Sequence, residues 1–256
     1  PIFYNSVSIF LEEKKIFLKK YQKEILKNKK IKWVSNYKEV KKGPVIFIGN
    51  EFFDAIPIKQ FQKKKKLIKE NFVQIDKNYN IKIIQHNASK KDIIKLNKFK
   101  VLKKNNFIEY PMMGFKKLQI IINKIKKQSG GVLLIDYGYF GVYNNNSLQS
   151  VKNHKTNNLF DDLGNADITS LVNFNLLKEF MTNNNLKVEK IVTQSYFLKR
   201  LGILIRAEII SKNMSFKNKS DLYLRLKRLL DPKYMGELFK VIFAHTYKKK
   251  NFIGFN

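Results

Sequence analysis

Residues 43–61 read GPVIFIGNEFFDAIPIKQF. Gly43 and Pro44 interrupt any preceding element. Val45-Ile46-Phe47-Ile48 then forms an apolar run too short for a helix, bounded by turn residues, as expected of a strand buried on both faces. The run ends in Gly49-Asn50-Glu51-Phe52-Phe53-Asp54-Ala55, where acids sit among aromatics. A second run of this kind, Val132-Leu133-Leu134-Ile135, follows Gly130-Gly131 and ends in Asp136-Tyr137-Gly138. A third strand, SVSIFL (6–11), is followed by Glu12-Glu13.

Helical patterns alternate with these strands. Residues 14–29 place Ile16, Phe17, Tyr21, Ile25 and Leu26 at helical spacing, and 30–34 is a short extended piece. Residues 107–128 read mostly as a helix with Leu118, Ile121, Ile122 and Ile125 on one face. Residues 167–185 read as a helix capped by Asp167 or Thr169, and 187–210 as a strand that becomes helical. A helix over 220–232, capped by Ser220 or Asp221, stops at Pro232, and 236–247 is a last strand. Such alternation predicts a parallel sheet with helices on both faces, whose ligands bind beyond the carboxyl ends of the strands.

Two segments stand apart. Residues 62–107 are Lys-rich with alternating apolar positions, and predict a hairpin followed by a polar linker, a lobe outside the main sheet. Residues 142–166 are Asn-rich and aperiodic, and predict a long loop. The expected organisation is a first core segment at 1–61, the inserted lobe at 62–107, and a second core segment at 108–256.

The composition excludes several chemistries. With no Cys among 256 residues there is no disulfide, thiolate metal site or Cys nucleophile. The three His are far apart in sequence, which argues against a His-rich metal site, and no metal is expected. No window approaches the ~20 apolar residues of a membrane span. The net charge of +31 rests on 51 Lys+Arg against 20 Asp+Glu. All but Arg200, Arg206, Arg225 and Arg228 of those bases are Lys, and Asn and Ile are also abundant. These three residue types share A/T-rich codons, so base composition explains the charge more simply than a nucleic-acid partner does. Residue 1 is Pro, without a signal-type segment, so the sequence reads as a processed product or a fragment.

The segment from Gly43 to Phe61 closely resembles the central motif of the MidA family, class I S-adenosylmethionine-dependent methyltransferases. Other residues agree in order. They include Glu13, Leu18 and Gln22, then Trp33, then Glu109-Tyr110-Pro111, then Gly130-Gly131 with Ile135-Asp136-Tyr137-Gly138. Ala166-Asp167-Ile168-Thr169, Gln194, Leu201-Gly202-Ile203 with Arg206, and Met235-Gly236 follow. The resemblance covers nearly the whole chain. It implies an α/β fold with a Rossmann-like methyltransferase sheet. Family members carry a first strand and glycine-rich cofactor turn before the acid-ended strand. Only PIFYN precedes Ser6 here, so the expectation is a sheet with its first βα unit missing.

The resemblance also implies S-adenosyl-L-methionine as cofactor and a protein arginine as acceptor, in a protein substrate such as a respiratory complex I subunit. Carboxylates can orient a guanidinium through charge-assisted pairs. Glu51 is the expected guanidinium partner, helped by Asp54 and Asn50. Glu13 is expected on the ribose, with Trp33 near the adenine and Asn50 beside the cofactor. Asp136 and Tyr137 are expected to line the substrate crevice, with Asp167 and Thr169 at its mouth. The default location is the cytoplasm of a bacterium, or the mitochondrion of a eukaryote. Two other readings stand beside this one: a non-catalytic assembly factor on a methyltransferase-like fold, and an RNA-binding protein or RNA methyltransferase.

Overall fold

The computed structural model describes residues 5–13, 15–27, 30–40, 43–248 and 251–256. Two compact units divide at Pro44 and Val45.

The first unit, within residues 1–44, is a βαβ arrangement. Strand β1 (Ile9–Glu12) pairs in parallel with β2 (Ile31–Val34), and helix α1 (Ile16–Ile25) connects them. Glu13 sets the start of the helix, because its Oε1 accepts the backbone N–H of Lys15 at 2.9 Å. A 3-10 turn at Tyr37–Glu39 is held by a capping box between Asn36 and Glu39.

The second unit, Val45–Asn256, opens with β3 (Val45–Asn50), the first apolar run; it is not buried on both faces as expected, since Ile46 and Ile48 on one face are 57% and 71% exposed. Next comes the lobe. It is a four-stranded antiparallel sheet of β4 (Lys59–Lys64), β5 (Leu67–Ile75), β6 (Ile81–Asn87) and β7 (Phe107–Tyr110), in the order β6-β5-β4-β7. The polar linker expected inside it is in fact helix α2 (Lys90–Asn97) and a 3-10 turn at Lys100–Lys104. Ser89 caps α2, its Oγ accepting from Asp92 N at 3.1 Å. Lys59 on β4 then pairs with Glu70 at 2.7 Å and Asp92 at 3.0 Å, tying strand to helix.

Pro111 separates β7 from α3 (Met112–Gln128), so the helix expected from 107 begins five residues later than the pattern suggested. β8 (Gly130–Tyr139) is the second apolar run and the axis of the core. The expected long loop carries β9 (Gln149–Lys152) and β10 (Lys155–Asn157), which form a small antiparallel sheet with β11 (Asp167–Thr169) just after it. Residues 167–173 are therefore extended rather than helical. After β12 (Val172–Asn173), α4 (Phe174–Asn183) is capped by Asn173, whose Oδ1 accepts from Leu176 N at 3.0 Å, and not by Asp167 or Thr169. Short strands β13 (Lys187–Val188) and β14 (Val192–Thr193) follow. Then come α5 (Gln194–Arg200), α6 (Ile203–Ser211), α7 (Phe216–Leu230), α8 (Met235–Leu238) and β15 (Phe239–His245). The cap of α7 is Ser215, upstream of the expected Ser220 or Asp221.

The core sheet is mixed. β3 and β12 run parallel to β8 and share one of its edges, β3 along Gly130–Ile135 and β12 along Gly138–Tyr139. β15 takes the other edge in antiparallel sense, and β13 and β14 pair antiparallel with β15. Both faces of β15 are covered. Val241 and Phe243 pack with Phe197 of α5, while Ile242 and Ala244, on the opposite face by strand alternation, are fully buried. Across the core, Phe115 of α3 stacks on Phe180 of α4 at 4.2 Å.

Candidate active site

β3 and β8 deliver their carboxyl ends side by side, in register through Asn50 opposite Ile135. The chain turns sharply there. Glu51 N donates to Ile135 O at 2.9 Å, and Glu51 takes a left-handed backbone with φ 48°. That conformation costs a non-glycine residue on the order of 1 kcal/mol or more and persists only where neighbours impose it. Gly49 permits the turn: a Cβ there would meet Leu134 Cδ2 at 3.0 Å and Phe52 Cβ at 3.2 Å. Asn50 and Glu51 project into solvent, with Asn50 Nδ2 donating to Glu51 Oε1 at 3.3 Å.

Beneath the turn lies Asp136, 2% exposed. Its Oδ2 accepts the backbone N–H groups of Phe52 at 3.0 Å and Phe53 at 2.8 Å, and its Oδ1 accepts that of Tyr137 at 3.0 Å. The expectation that Asp136 lines the substrate crevice is corrected. On β8 the side chains alternate between faces, and this one points under the 51–54 turn. Burial pushes its carboxyl up to about 7, backbone N–H donors oppose the shift, and the charge of Asp54 adds to it.

Asp54 is buried, and its backbone carbonyl accepts from Ser170 N at 3.0 Å. Its Oδ1 has no hydrogen-bond partner among the described residues. Tyr137 hydrogen-bonds both Asp54 and Thr169 through its side chain, and burial pushes its hydroxyl well above the usual phenol range. Thus Asn50, Glu51, Asp54, Tyr137 and Thr169 converge around the ends of β3 and β8, with Asp136 as their support. Asp167 stands apart on β11, exposed and opposite Val151. Phe53 packs edge-on to Phe52 and against Gly114 of α3, where a Cβ would lie 2.5 Å from its ring.

A cleft beside the turn is lined by Phe53, Ile58, Glu109, Ser170, Val172 and Asn173 among others. Its polar wall is a network that the sequence reading did not assign. Buried Glu109 accepts from Gln60 Nε2 at 3.0 Å, from Ser147 N at 3.1 Å and from the Ser147 hydroxyl. Ser147 Oγ in turn accepts Leu171 N at 2.9 Å. The available signal was an acid, Glu109, inside the apolar stretch FIEYP of a chain poor in acids. Among the described residues, no group of three or more His, Asp or Glu is placed to hold a metal.

In the first unit, Glu13 and Trp33 are linked through Gln22. Gln22 Nε2 donates to Glu13 Oε2 at 3.2 Å, and Trp33 Nε1 donates to Gln22 Oε1 at 3.0 Å. Lys23 Nζ lies 5.8 Å from the Trp33 ring centroid. Glu12 is engaged by the Tyr37 hydroxyl, leaving Glu13 as the acid at the end of β1 that faces Gln22.

A mixed sheet packed against helices, with acids and an Asn at the ends of parallel strands, defines a Rossmann-like α/β protein with a ligand rim. The chain belongs to the MidA family: a family model described as S-adenosyl-L-methionine-dependent methyltransferases matches residues 1–192. Among curated proteins it is similar to the mitochondrial protein arginine methyltransferase NDUFAF7 of Danio rerio, 26% identical over 213 residues, covering 82% of this chain and 49% of that protein. The NDUFAF7 homologue of Caenorhabditis elegans is 29% identical over 176 residues, 68% of this chain and 41% of that one. The chain thus spans about half the length, or less, of these relatives. A superfamily member from Burkholderia thailandensis, solved with S-adenosyl-homocysteine bound, superposes with a TM-score of 0.79 at 18% identity. That superposition covers 97% of this chain and 66% of the other and establishes the shared fold.

Proposed function

We propose that the protein transfers a methyl group from S-adenosyl-L-methionine to a side-chain nitrogen of a protein, with arginine as the acceptor. The observation that carries this reading is the turn after β3, which holds Glu51 and Asn50 out of a rigid sheet edge in a chain of a methyltransferase family.

When bound, the cofactor supplies a methyl already activated on a sulfonium, so the protein's task is positioning. The residues present fit such a ligand. Glu13 ends β1 with a half-buried carboxylate that retains acceptor capacity for ribose hydroxyls, and half-buried Trp33 offers a ring for the adenine. Asn50 supplies an amide at the end of β3. Exposed Glu51 pairs with the guanidinium of the acceptor and aims its nitrogen. The unpartnered Oδ1 of Asp54 gives a second acceptor at the same rim. Tyr137 and Thr169 shape the acceptor side, and Asp167 stands further out as a contact for a basic peptide.

A subunit of respiratory complex I is the proposed protein partner. The same reading places the protein in the mitochondrion of a eukaryotic source, the compartment named for the relatives, or in the cytoplasm of a bacterial one. Methyl transfer to an arginine-containing protein substrate, followed with radiolabelled cofactor, tests the proposal. Glu51→Gln is expected to lower kcat by about a hundredfold. A rate near that of the unaltered protein would remove Glu51 from the mechanism. Calorimetry with S-adenosyl-homocysteine, repeated for Glu13→Ala, tests the cofactor side.

A further inference from the structure

We infer that Asp136 is the positioning residue of the candidate site: through the backbone N–H groups of Phe52 and Phe53 it holds the Glu51 turn in its left-handed form. The inference rests on the proposed function for its kinetic consequence, but not for the titration itself.

The geometry is specific. Asp136 is the first residue of β8 beyond the ladder with β3, whose last pair is Asn50 with Ile135. At that point the chain after β3 must fold back, and Glu51 absorbs the change at φ 48°. Two consecutive amides of the turn then converge on a single oxygen, Oδ2, at 3.0 and 2.8 Å. The Asp54 backbone amide adds to the same carboxyl group. A carboxylate accepts such bonds about twice as strongly as a neutral acid does. Asp136 therefore fixes the turn from beneath, and a side chain without an acceptor there leaves both amides unpaired.

The surroundings keep Asp136 without a counter-ion. From the turn, the charged group facing it is Asp54, which disfavours a second negative charge. From its own strand, Tyr137 gives a backbone N–H, while the Tyr137 hydroxyl serves Asp54 and Thr169. From β15, the residue in register is Lys240, whose Nζ donates to the carbonyls of Glu237 and Leu238. No ion pair to Asp136 exists among the described residues. With burial dominant, the group titrates at about 7, within the range where enzymes work.

The test is an NMR titration of the unaltered protein from about pH 5 to about pH 9, paired with kinetics. The amide signals of Phe52 and Phe53 are expected to shift with one midpoint near 7, and Asp136→Asn is expected to abolish that shift. For methyl transfer, Asp136→Ala is expected to lower kcat about tenfold with the KM for cofactor unchanged, and Asp136→Asn, whose Oδ1 keeps one acceptor, to restore part of it. Amides that do not titrate, or an Asp136→Ala variant that keeps the unaltered kcat, would overturn the inference. If no acceptor is methylated at all, the proposed function fails, while the amide titration still decides the role of Asp136.

Discussion

The carboxylate of Glu109 on β7 accepts the backbone N–H of Ser147 at 3.1 Å, joining residues 38 positions apart. That bond fastens the Asn-rich segment after β8 to the lobe. Together with Gln60 and the Ser147 hydroxyl, it makes a closed polar network against the wall of the cleft.

Glu109→Ala leaves three donors, from buried Gln60 and half-buried Ser147, without this acceptor. The expected loss is about 3 kcal/mol of stability, read by chemical denaturation. Limited proteolysis is expected to cut near residues 144–148 faster than in the unaltered protein. Equal stability and equal protection would show that the network is dispensable.

Gly138 lies where β12 approaches β8. A Cβ there would sit 2.1 Å from Val172 O. Gly138→Ala cannot be accommodated by a rotamer change, because the obstacle is backbone. The expected cost is about 3 kcal/mol in thermal or chemical unfolding. It should come with loss of activity, since β12 leads directly from Thr169 and Ser170 at the rim.

Asp92 gives a pH dependence of definite sign. Burial raises its carboxyl, but hydrogen bonds from Lys59, Lys95 and Ser89 outweigh burial and bring it down to about 2. A lowered folded-state value stabilises the protein above the unfolded value near 3.8, and that contribution is lost as pH falls from about 4 to about 2. Denaturation at several pH values is expected to show this acid limb in the unaltered protein and a flatter one in Asp92→Asn. Asp136, raised from 3.8 to about 7, acts oppositely: its contribution declines as pH rises from about 4 to about 7.

Gln22 bridges Glu13 and Trp33 in the first unit. Gln22→Ala is expected to cost about 1 kcal/mol. Trp33 is the only tryptophan, so its fluorescence reports this site without labelling. A red shift in emission is the expected result. Unchanged emission would show that the indole does not depend on the bridge.

Much of the core was legible in sequence because its signals are local. VIFI and VLLI announce β3 and β8 as short apolar runs bounded by turn residues, although Ile46 and Ile48 of β3 are exposed and only β8 is buried at its centre. The acid-bearing strand ends in turn located Asn50, Glu51 and Asp54. The helix cap at Asn173 and the strands over 167–173 escaped, because Asp167 and Thr169 have the chemistry of a cap. Only pairing with β9, remote in sequence, makes them extended. The lobe's hairpin was legible, but its completion by β7 was not, for the same reason: β4 takes β7 as neighbour across an intervening hairpin and helix.

The sequence by itself determined the two apolar strands, their terminal acids and the membership of the chain in its family, because hydrophobic pattern and motif order are written residue by residue. Tertiary structure alone decided which acid faces solvent and which is buried. Asp136 and Glu51 are both carboxylates at strand ends, yet side-chain alternation along β8 sends the one under the turn, while the backbone reversal after β3 sends the other outward.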